Sequence, residues 1–543
     1  MIIDLRNIDS KLSKVYEAQK GEVMSAYEKL SEDLLRRDTS LAWLVSNPTS
    51  RNVFHSNLFY YLRCLHLVNY VDATESLDRI ITDDFNLYKI LSSRYPVEYV
   101  GSSKRYLGWI QLLRVLKWVY GAIRCKSKER IKTLLEKKQV TIIDADIAKL
   151  ATKYNDRYYG DILDRLPKEI QDSAFYNIIY LPNPRKNDIN VIDNNTKFNT
   201  LYLWDFLKPV DYLSSFRSLL DYKQRNLSYI YEGYDIKYLI KDVYHNNKSF
   251  YFYCAFLYER MIYRMKEMGV NIRLYIDWYE NQSIDRAFHW AMNKYYPDVR
   301  THSYLGFMGD VNETPHIIAT NAELEACIAP KILYVCNQAL KDVYDRSNYK
   351  GAVYVAPFYR AADVWSLTYS HRQNEYFTIL VPMGLTSAEV NLKVDYFVDL
   401  FCSYPNLKAK VLLKPHPVYN SESIASKIKG VCNIMLVGGS IYEHLPQCDA
   451  VVASNSTATY EALAVGKPLI YYIDKNRKLS LSRPQNIPDK MWYPVADVNS
   501  IVSTIESIKA LDEDMLIQQG AIFRDYFFTK ETDTLTNLLF AIQ

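Results

Sequence analysis

The sequence predicts an α/β protein with two parallel sheets behind a mainly helical N-terminal region. From about residue 140 onward, short apolar runs alternate with stretches of helical spacing, as in sheets whose strands are joined by crossover helices. The runs form two series, separated near residue 360 by a polar, irregular segment. A chain of 543 residues also exceeds what one hydrophobic core usually supports. We therefore expect at least two domains.

The elements follow in order along the chain. Residues 1–135 show helical spacing and few strand signals, so we expect a helical N-terminal region there. Residues 136–360 and 361–500 each carry a series of strands, and residues 501–543 are expected to form helices that pack back toward the first domain. The predicted strands are 140–143, 177–181, 200–204, 271–276, 332–335 and 352–355, and then 377–381, 410–413, 434–437, 449–453 and 468–473.

Composition narrows the class of protein. Lys and Arg number 66 and Asp and Glu 62, a net charge of +4, which argues against a nucleic-acid-binding protein. The eight cysteines are scattered without a Cys-x-x-Cys pair, so neither a zinc site nor a disulfide framework is expected. No secretory signal and no apolar stretch of about twenty residues is visible. We expect a cytoplasmic protein with reduced thiols.

One basic segment leaves membrane association open. Residues 104–138 contain eleven Lys or Arg and only two acids, Glu129 and Glu136, and the first part is rich in Leu, Trp, Val and Tyr. Two interpretations fit this pattern. The first is an amphipathic helix on an anionic membrane surface, which would give peripheral inner-membrane contact. The second is a buried helix followed by a solvated basic tail.

A histidine follows one of the strands in the second series. Lys414-Pro415-His416-Pro417 comes directly after an apolar run, which places the imidazole at the carboxyl end of a buried strand. Open α/β sheets bind ligands at that edge. The alternative is a rigid turn without a binding role.

A hydroxyl cluster follows a later strand. Ser454-Asn455-Ser456-Thr457 opens a predicted helix that Gly466 and Pro468 close. A helix N-terminus rich in hydroxyls attracts phosphate, and Glu461 inside that helix can accept hydrogen bonds from a ribose. Ordinary helix capping is the alternative. Together with His416, the cluster predicts a nucleotide-sugar site.

Candidate catalytic carboxylates follow a strand of the first series. Asp277 and Glu280 come directly after 271–276, where a general base would face the cleft; an alternative role for Glu280 is pairing with Arg286 or Asn281. His302 can line the same cleft or be structural. Asp144-Ala145-Asp146 has the spacing of a metal clamp but also suits an ordinary loop, so no metal site is predicted.

These motifs resemble those of known transferases. Two α/β domains with a His-Pro strand end and a Ser/Thr-to-Glu helix resemble the GT-B type of glycosyltransferase. Residues 414–417 and 454–457 resemble the His-Pro and Ser/Thr motifs of bacterial sialyltransferases, polysialyltransferases and related capsule transferases. Residues 278–282, with Arg286 following, resemble the Glu-Asn-Gln segment of bacterial surface carbohydrate biosynthesis proteins. The similarity covers roughly residues 250–475.

The chain also departs from related patterns. Polysialyltransferases and Kdo transferases carry two acids before a glycine, whereas Tyr231-Glu232-Gly233 has only one. Uridine-diphosphate-sugar 2-epimerases carry Asp-Ser-Gly-Gly where this chain has residues 454–457. Teichoic-acid glycerophosphotransferases carry an Asp-Tyr-Ser-Ser-like segment that residues 455–459 lack.

The resemblance implies two Rossmann-like domains that face each other across a cleft. It also implies an inverting, metal-independent transfer, without a cofactor, of a nonulosonic (sialic, pseudaminic, legionaminic or Kdo-like) sugar from a CMP-activated donor to a surface polysaccharide or its lipid-linked precursor. Alternatives are a UDP-hexose or CDP-glycerol dependent transferase and a non-catalytic glycan-assembly scaffold. The implied residues are Glu280, Asp277 and His416 for catalysis; Lys414, His416, Pro417, Ser454, Asn455, Ser456, Thr457 and Glu461 for the donor; and Asn281, Gln282, Arg286 and His302 for the acceptor.

Overall fold

The computed structural model describes most of the chain. Of the predicted site residues, Pro417 and Asn455 lie outside the described residues, as do Asp146 and the cations Lys104 and Arg105. The described residues are all of 1–543 except 7, 9, 54, 102–106, 146–155, 157, 161, 179–183, 196–198, 221–226, 246–249, 309–314, 370–374, 385–386, 417–420, 455, 473–482, 485 and 543.

The N-terminal region is mostly helical but also contains a small parallel sheet, which the sequence analysis did not predict. Its strands have only three or four residues each, too few to show a clear period. The elements are β1 (Ile2–Asp4), α1 (Ser10–Ala18), α2 (Lys20–Leu35), α3 (Leu41–Leu44), α4 (Asn47–Ser50), α5 (Leu58–Thr74), β2 (Arg79–Thr82), α6 (Phe85–Leu91) and β3 (Val97–Tyr99), with the strands in the order β1-β2-β3.

The first α/β domain is built on a seven-stranded parallel sheet. Its elements are α7 (Leu107–Cys125), α8 (Lys128–Leu135), β4 (Val140–Ala145), α9 (Ile162–Arg165), α10 (Lys168–Ser173), β5 (Ala174–Ile178), α11 (Lys186–Asn195), β6 (Asn199–Tyr202), α12 (Leu203–Phe206), α13 (Pro209–Leu220), β7 (Ile230–Tyr231), β8 (Tyr234–Asp235), α14 (Lys237–His245), α15 (Phe250–Glu267), β9 (Ile272–Trp278), α16 (Ser283–Tyr295), β10 (Arg300–Leu305), α17 (Asn321–Glu325), β11 (Ile332–Val335), α18 (Gln338–Arg346) and β12 (Ala352–Val355). The strand order is β12-β11-β10-β9-β4-β5-β6. Three elements of this sequence range, the antiparallel pair β7 and β8 and the helix α14, instead pack in the core of the N-terminal region.

The second α/β domain has a six-stranded parallel sheet. Its elements, with the helices that follow it, are β13 (Phe377–Pro382), α19 (Ser387–Ser403), β14 (Ala409–Lys414), α20 (Glu422–Lys427), β15 (Ile434–Leu436), β16 (Ala450–Val452), α21 (Thr457–Ala464), β17 (Leu469–Tyr472), β18 (Trp492–Val495), α22 (Val498–Lys509), α23 (Glu513–Phe527) and α24 (Asp533–Leu539). The strand order is β15-β14-β13-β16-β17-β18.

The predicted fold class, α/β with two parallel sheets, is confirmed. Each predicted strand overlaps a strand of the structure, because strands buried on both faces, such as β4 and β13, read as continuous apolar runs. Two strands of the large sheets were not predicted. β10, Arg-Thr-His-Ser-Tyr-Leu, is too polar to form an apolar run, and β18 contains a proline, which an edge strand tolerates.

In both sheets, the direction in which the chain adds successive strands reverses at an inner strand. In the first sheet the chain runs outward from β4 to β6 and then returns to start again at β9, beside β4. In the second sheet it runs from β13 to β15 and starts again at β16, beside β13. In open α/β sheets such a switch point leaves a crevice at the carboxyl ends of the strands. Each sheet therefore offers one position for a ligand.

A buried ionic network fixes the N-terminal region on the first domain. Glu323 on α17 accepts a hydrogen bond from Arg51 at 3.0 Å and another from Arg286 on α16. Arg286 also donates to the carbonyl oxygens of Leu44 and Thr49, at 3.1 and 3.0 Å. All three charged side chains are at most 2% exposed. Although burial raises the pKa of Glu323, the two guanidinium groups more than offset it, and the pKa is lowered overall.

The C-terminal helices return to the first domain. The Leu539 carbonyl oxygen lies 2.9 Å from His302 Nδ1, and the Leu538 carbonyl accepts from the Tyr334 hydroxyl at 3.1 Å. The two crossings between the domains lie side by side, since the Phe358 backbone N–H donates to the Thr529 carbonyl at 3.0 Å. None of the helices within the described residues is long and apolar enough to cross a membrane.

Loss of the shared carboxylate should weaken the fold strongly. Glu323→Gln removes the counter-charge that the two buried guanidinium groups share and leaves Arg51 only the more distant Glu28, at 3.7 Å, among the described residues. We expect the free energy of unfolding to fall by about 3–5 kcal/mol. Urea denaturation followed by tryptophan fluorescence measures this change. The matched control is Glu325→Gln. Glu325 forms an exposed ion pair with Lys350, so this substitution should change stability by no more than about 0.5 kcal/mol. Equal effects of the two substitutions would contradict the role of the network.

Candidate active site

A cavity of about 320 Å³ lies at the switch point of the first sheet. Asp144 on β4 and Asp277 on β9 line it from the two central strands, and Asn47 and His55 line it from the N-terminal region. The docking of that region therefore completes the cavity wall. The other lining residues are Tyr158, Tyr251, Tyr258, Trp278, Glu280, Gln282, Ser283, Ile284, Asp285 and Phe288.

Glu280 is held by the loop that follows β9. Trp278 Nε1 donates to Glu280 Oε1 at 2.8 Å, and the Trp278 ring stacks on Tyr158 with 3.6 Å between centroids. The carboxylate of Asp285 accepts the backbone N–H groups of Glu280 and Gln282, both at 2.9 Å. The side chain of Glu280 is half-buried. A carboxylate fixed in this way at the cavity wall can take a proton from a bound hydroxyl.

Asp277 is buried more deeply than Glu280. Its Oδ1 accepts from the Ser303 hydroxyl at 2.7 Å, and its Oδ2 lies 3.4 Å from His289 Nε2. Within the described residues Oδ2 has no hydrogen-bond partner. A buried carboxylate oxygen without a donor is energetically costly, so a donor from a ligand would stabilise it.

Asp144 is the third carboxylate of the cavity and was not predicted as a site residue. Its Oδ1 accepts from Asn177 Nδ2 at 2.7 Å and from the Tyr275 hydroxyl at 3.0 Å. Burial raises its pKa to about 8 and the negative charge of Asp277 adds to the shift, against the effect of these hydrogen bonds. Asp144 therefore holds a proton at neutral pH.

The structure separates the predicted acceptor-side residues. Gln282 lines the cavity and accepts from Asn52 Nδ2 at 2.8 Å. Asn281 and Arg286 are fully buried; Asn281 Nδ2 donates to the His316 carbonyl at 2.7 Å, and Arg286 Nε donates to Asn281 Oδ1 at 3.0 Å. These two side chains hold the loop in place rather than face the cavity. Asn281 adopts a φ of 54°, which allows the tight turn after Glu280.

His302 also lies elsewhere. Its ring packs on Tyr334 and is hydrogen-bonded to the C-terminal helix α24, and burial lowers its pKa. Among the described residues that line the cavity, His302 does not occur. The structure therefore gives it a packing role between the first domain and the C-terminus.

The predicted donor residues lie at the switch point of the second sheet. Lys414 ends β14, and His416 follows it, partly exposed. Ser454 follows β16, the strand on the other side of β13. Two strand spacings of the sheet separate the ends of β14 and β16, a distance of about 10 Å. A nucleotide phosphate and its sugar can span that distance.

The hydroxyl cluster opens α21 as predicted. Ser456 occupies the N-cap position, and its hydroxyl lies 2.9 Å from that of Ser454. Gly466, with a φ of 71°, follows the end of the helix as expected. Within the described residues no side chain caps α21, and the Thr459 N–H donates to the Ser456 carbonyl at 3.1 Å, so the N–H groups of Thr457 and Ala458 are the ones that can meet an anion.

Glu461 is buried inside α21. Its Oε1 accepts from the Tyr442 hydroxyl at 2.6 Å. Burial raises the pKa of Glu461, while the hydrogen bond from Tyr442 opposes the shift. A ribose would have to share this carboxylate with Tyr442.

The carboxyl edges of the two sheets meet between β10 and α21. β10 pairs with β9, the strand that carries Asp277, with Tyr304 beside Trp278. Three residues after β10, the Met308 carbonyl accepts from the Thr457 hydroxyl at 3.5 Å. The start of α21 thus lies beside the edge that carries the cavity carboxylates. Among the described residues, no three or more His, Cys, Asp or Glu side chains are grouped to hold a metal ion.

Comparison with known proteins yields structural likenesses only. No protein family matches the chain, and no curated protein is significantly similar to it. The chain is similar to the glycosyltransferase SnogD from Streptomyces nogalater, with 12% identity, a TM-score of 0.40 and coverage of 75% of this chain and 100% of that one. It is similar to the wall teichoic acid polymerase TagF, with 11% identity, a TM-score of 0.38 and coverage of 81% and 98%.

A third likeness is to UDP-GlcNAc 2-epimerase from Neisseria meningitidis, with 10% identity, a TM-score of 0.40 and coverage of 74% of this chain and 98% of that one. In a match to a GtfA/B complex, the chain spans only 59% of the other chain. With TM-scores this low, neither fold nor activity follows from these likenesses. The fold rests on the strands and strand order of this chain.

The pH dependence of stability tests the protonated state of Asp144. Its pKa rises from 3.8 to about 8 on folding, so the folded protein keeps a proton that the unfolded chain releases. Stability contributed by this proton is lost as pH rises through that window. The melting temperature of Asp144→Asn minus that of the wild type should therefore increase from about pH 5 to about pH 8 and stay constant at higher pH. Parallel pH profiles of the two proteins would contradict the raised pKa.

Proposed function

We propose that the protein is a GT-B type glycosyltransferase that transfers a nonulosonic sugar from a CMP-activated donor to a hydroxyl of a surface glycan or its lipid-linked precursor. The proposal rests on the contact between Thr457 and Met308, which brings together the carboxyl edges of the two sheets. These two edges carry different chemical groups. The edge of the first sheet presents carboxylates in a cavity. The edge of the second sheet presents a histidine and the N-terminus of α21, which has no side-chain cap within the described residues. Transfer of a glycosyl group from a phosphate to a hydroxyl needs both.

The second domain supplies the groups that hold the leaving phosphate. As the glycosidic bond breaks, negative charge builds on the phosphate oxygens. His416 and the first-turn N–H groups of α21 can meet that charge, and Lys414 adds a positive field. Burial lowers the pKa of Lys414, and nearby Glu443 opposes the shift. In this proposal the phosphate charge is balanced without a metal ion.

The first domain supplies the base. Glu280 is the first candidate because it is half-buried at the cavity wall with a fixed loop behind it, and Asp277 is the second. Removal of the acceptor proton by either carboxylate, with attack from the face opposite the phosphate, inverts the anomeric centre. Glu280 then carries the proton away, and the CMP departs with the electron pair of the broken bond.

Nucleotide binding tests the donor side. Cytidine monophosphate should raise the melting temperature of the wild type by about 1 °C for each kcal/mol of binding. Uridine diphosphate and cytidine diphosphate should have smaller effects. His416→Ala should abolish the selective rise, whereas the control His66→Ala, in the N-terminal region, should retain it. Selective stabilisation by uridine diphosphate would instead favour a hexose donor, and stabilisation by cytidine diphosphate a glycerophosphate donor.

Substitution of the base tests the acceptor side. Glu280→Gln keeps the shape of the side chain but removes its basicity, so kcat for CMP release in the presence of acceptor should fall at least about 100-fold. The rise in melting temperature with cytidine monophosphate should persist, because the donor groups are untouched. The control Glu325→Gln should behave like the wild type. If both Glu280→Gln and Asp277→Asn retained full transfer activity, the assignment of the base would be wrong.

A further inference from the structure

Helix α7 carries two apolar stripes, of which only one is buried. Val115, Trp118, Ala122 and Cys125 lie in the core of the first domain. A second stripe repeats the spacing of three and four residues but remains exposed. It consists of Leu113 and Tyr120, each 64% exposed, and Leu116 and Ile123, each 56% exposed.

The two stripes lie on opposite sides of the helix. At about 100° per residue, positions 113, 116, 120 and 123 cluster on one face, and the buried residues cluster about 160° away. Single exposed apolar side chains are common on protein surfaces, but a continuous stripe marks a site of interaction. The outer face of α7 therefore has the composition of a docking surface.

Cations border the exposed stripe. Lys117 and Arg124 are exposed and lie beside it on the helical wheel, and Lys128 and Lys132 follow on α8. Other basic residues of the same segment are used within the protein. Arg130 pairs with Asp205 and Asp193, and Lys126 donates to the Leu207 carbonyl at 2.6 Å. Exposed cations thus occur both beside the stripe and on the surface that follows it.

A neighbouring helix also presents apolar side chains. The bond from Lys126 to Leu207 ties the end of α7 to the start of α13. On α13, Val210 is 57% exposed and Leu213 is 71% exposed. Apolar side chains and cations thus occur together on this part of the first domain.

We propose that the exposed face of α7 docks on an anionic phospholipid bilayer. The apolar stripe would enter the boundary between headgroups and acyl chains, and the flanking cations would attract the negative lipid phosphates. Neither contribution is large alone, and peripheral binding generally needs both. The charge on this segment, eleven cations against two acids over residues 104–138, is complementary to an anionic lipid surface.

Helix α7 also lies near the cavity. The guanidinium of Arg114 on α7 lies 5.2 Å from the ring centroid of Phe250 and 6.0 Å from that of Tyr251, and Tyr251 lines the cavity. Arg114 lies about 140° around the helix from the centre of the exposed stripe, so a bilayer on that stripe would lie about one helix diameter, roughly 10 Å, from this contact. Resting on the proposed transferase function, this position favours an acceptor that is carried on a membrane lipid.

Vesicle co-sedimentation of the full chain tests the proposal. The wild type should sediment with phosphatidylcholine vesicles that contain phosphatidylglycerol, and much less with phosphatidylcholine alone or at high salt. Leu116→Ser/Ile123→Ser should weaken binding at least about tenfold. Lys117→Glu/Lys128→Glu should remove the preference for phosphatidylglycerol. The matched control is Ile517→Ser/Ile522→Ser, which changes two exposed isoleucines of α23 and should bind as the wild type does.

Two results would overturn the proposal. One is equal vesicle binding by the α7 variants and the wild type. The other is a lipid-free oligomer that the Leu116→Ser/Ile123→Ser variant dissociates, since the stripe would then be an interface between copies. Vesicle binding requires neither donor nor acceptor, so its failure leaves the transferase proposal standing. Conversely, Glu280→Gln should bind vesicles normally even where it abolishes transfer.

Discussion

The shared burial of Glu323 between Arg51 and Arg286 is the constraint on which the candidate active site depends. The three groups come from the N-terminal region and from two helices of the first domain, and none of them is stable in the interior without the others. Arg286 also donates a hydrogen bond to Asn281, so the same network holds the loop that carries Glu280. The N-terminal region is thereby part of the active-site wall, and its Asn47 and His55 face the same cavity as the carboxylates.

The large-scale fold could be predicted because buried parallel strands leave a simple signal. Continuous apolar runs located β4, β9, β13 and β14 without any knowledge of their neighbours. Where polar side chains occur on both faces, as His302 on one face of β10 and Ser303 on the other, the signal disappears although the strand is central to the sheet. The small N-terminal sheet was missed for a different reason, since strands of three or four residues are shorter than the period that a pattern needs.

Residues of the candidate site could be predicted only where their position at the end of a strand was sufficient to identify them. Asp277 and Glu280 follow a strand end, and both line the cavity. Asp144 lies in the cavity because β4 is the neighbour of β9 in the sheet, although the two strands are about 130 residues apart in sequence. The order of strands in a sheet cannot be predicted from the residues of one strand. Arg286 has the chemistry of a ligand-binding residue, but its partner Glu323 lies on another helix, so its structural role emerges only from tertiary packing.

The paired crossings between the two domains also restrict how the cleft can move. Phe358 and Phe528 stack with their ring centroids 5.3 Å apart, so the outgoing and returning chain segments are joined at one place. A single tether would permit one domain to swing and twist freely, whereas two adjacent segments act as one hinge. Any movement of one domain relative to the other would therefore be a rotation about this place. Since α24 belongs to the first domain by packing and to the second by sequence, cutting the chain at either crossing severs α24 from the strands on which it packs.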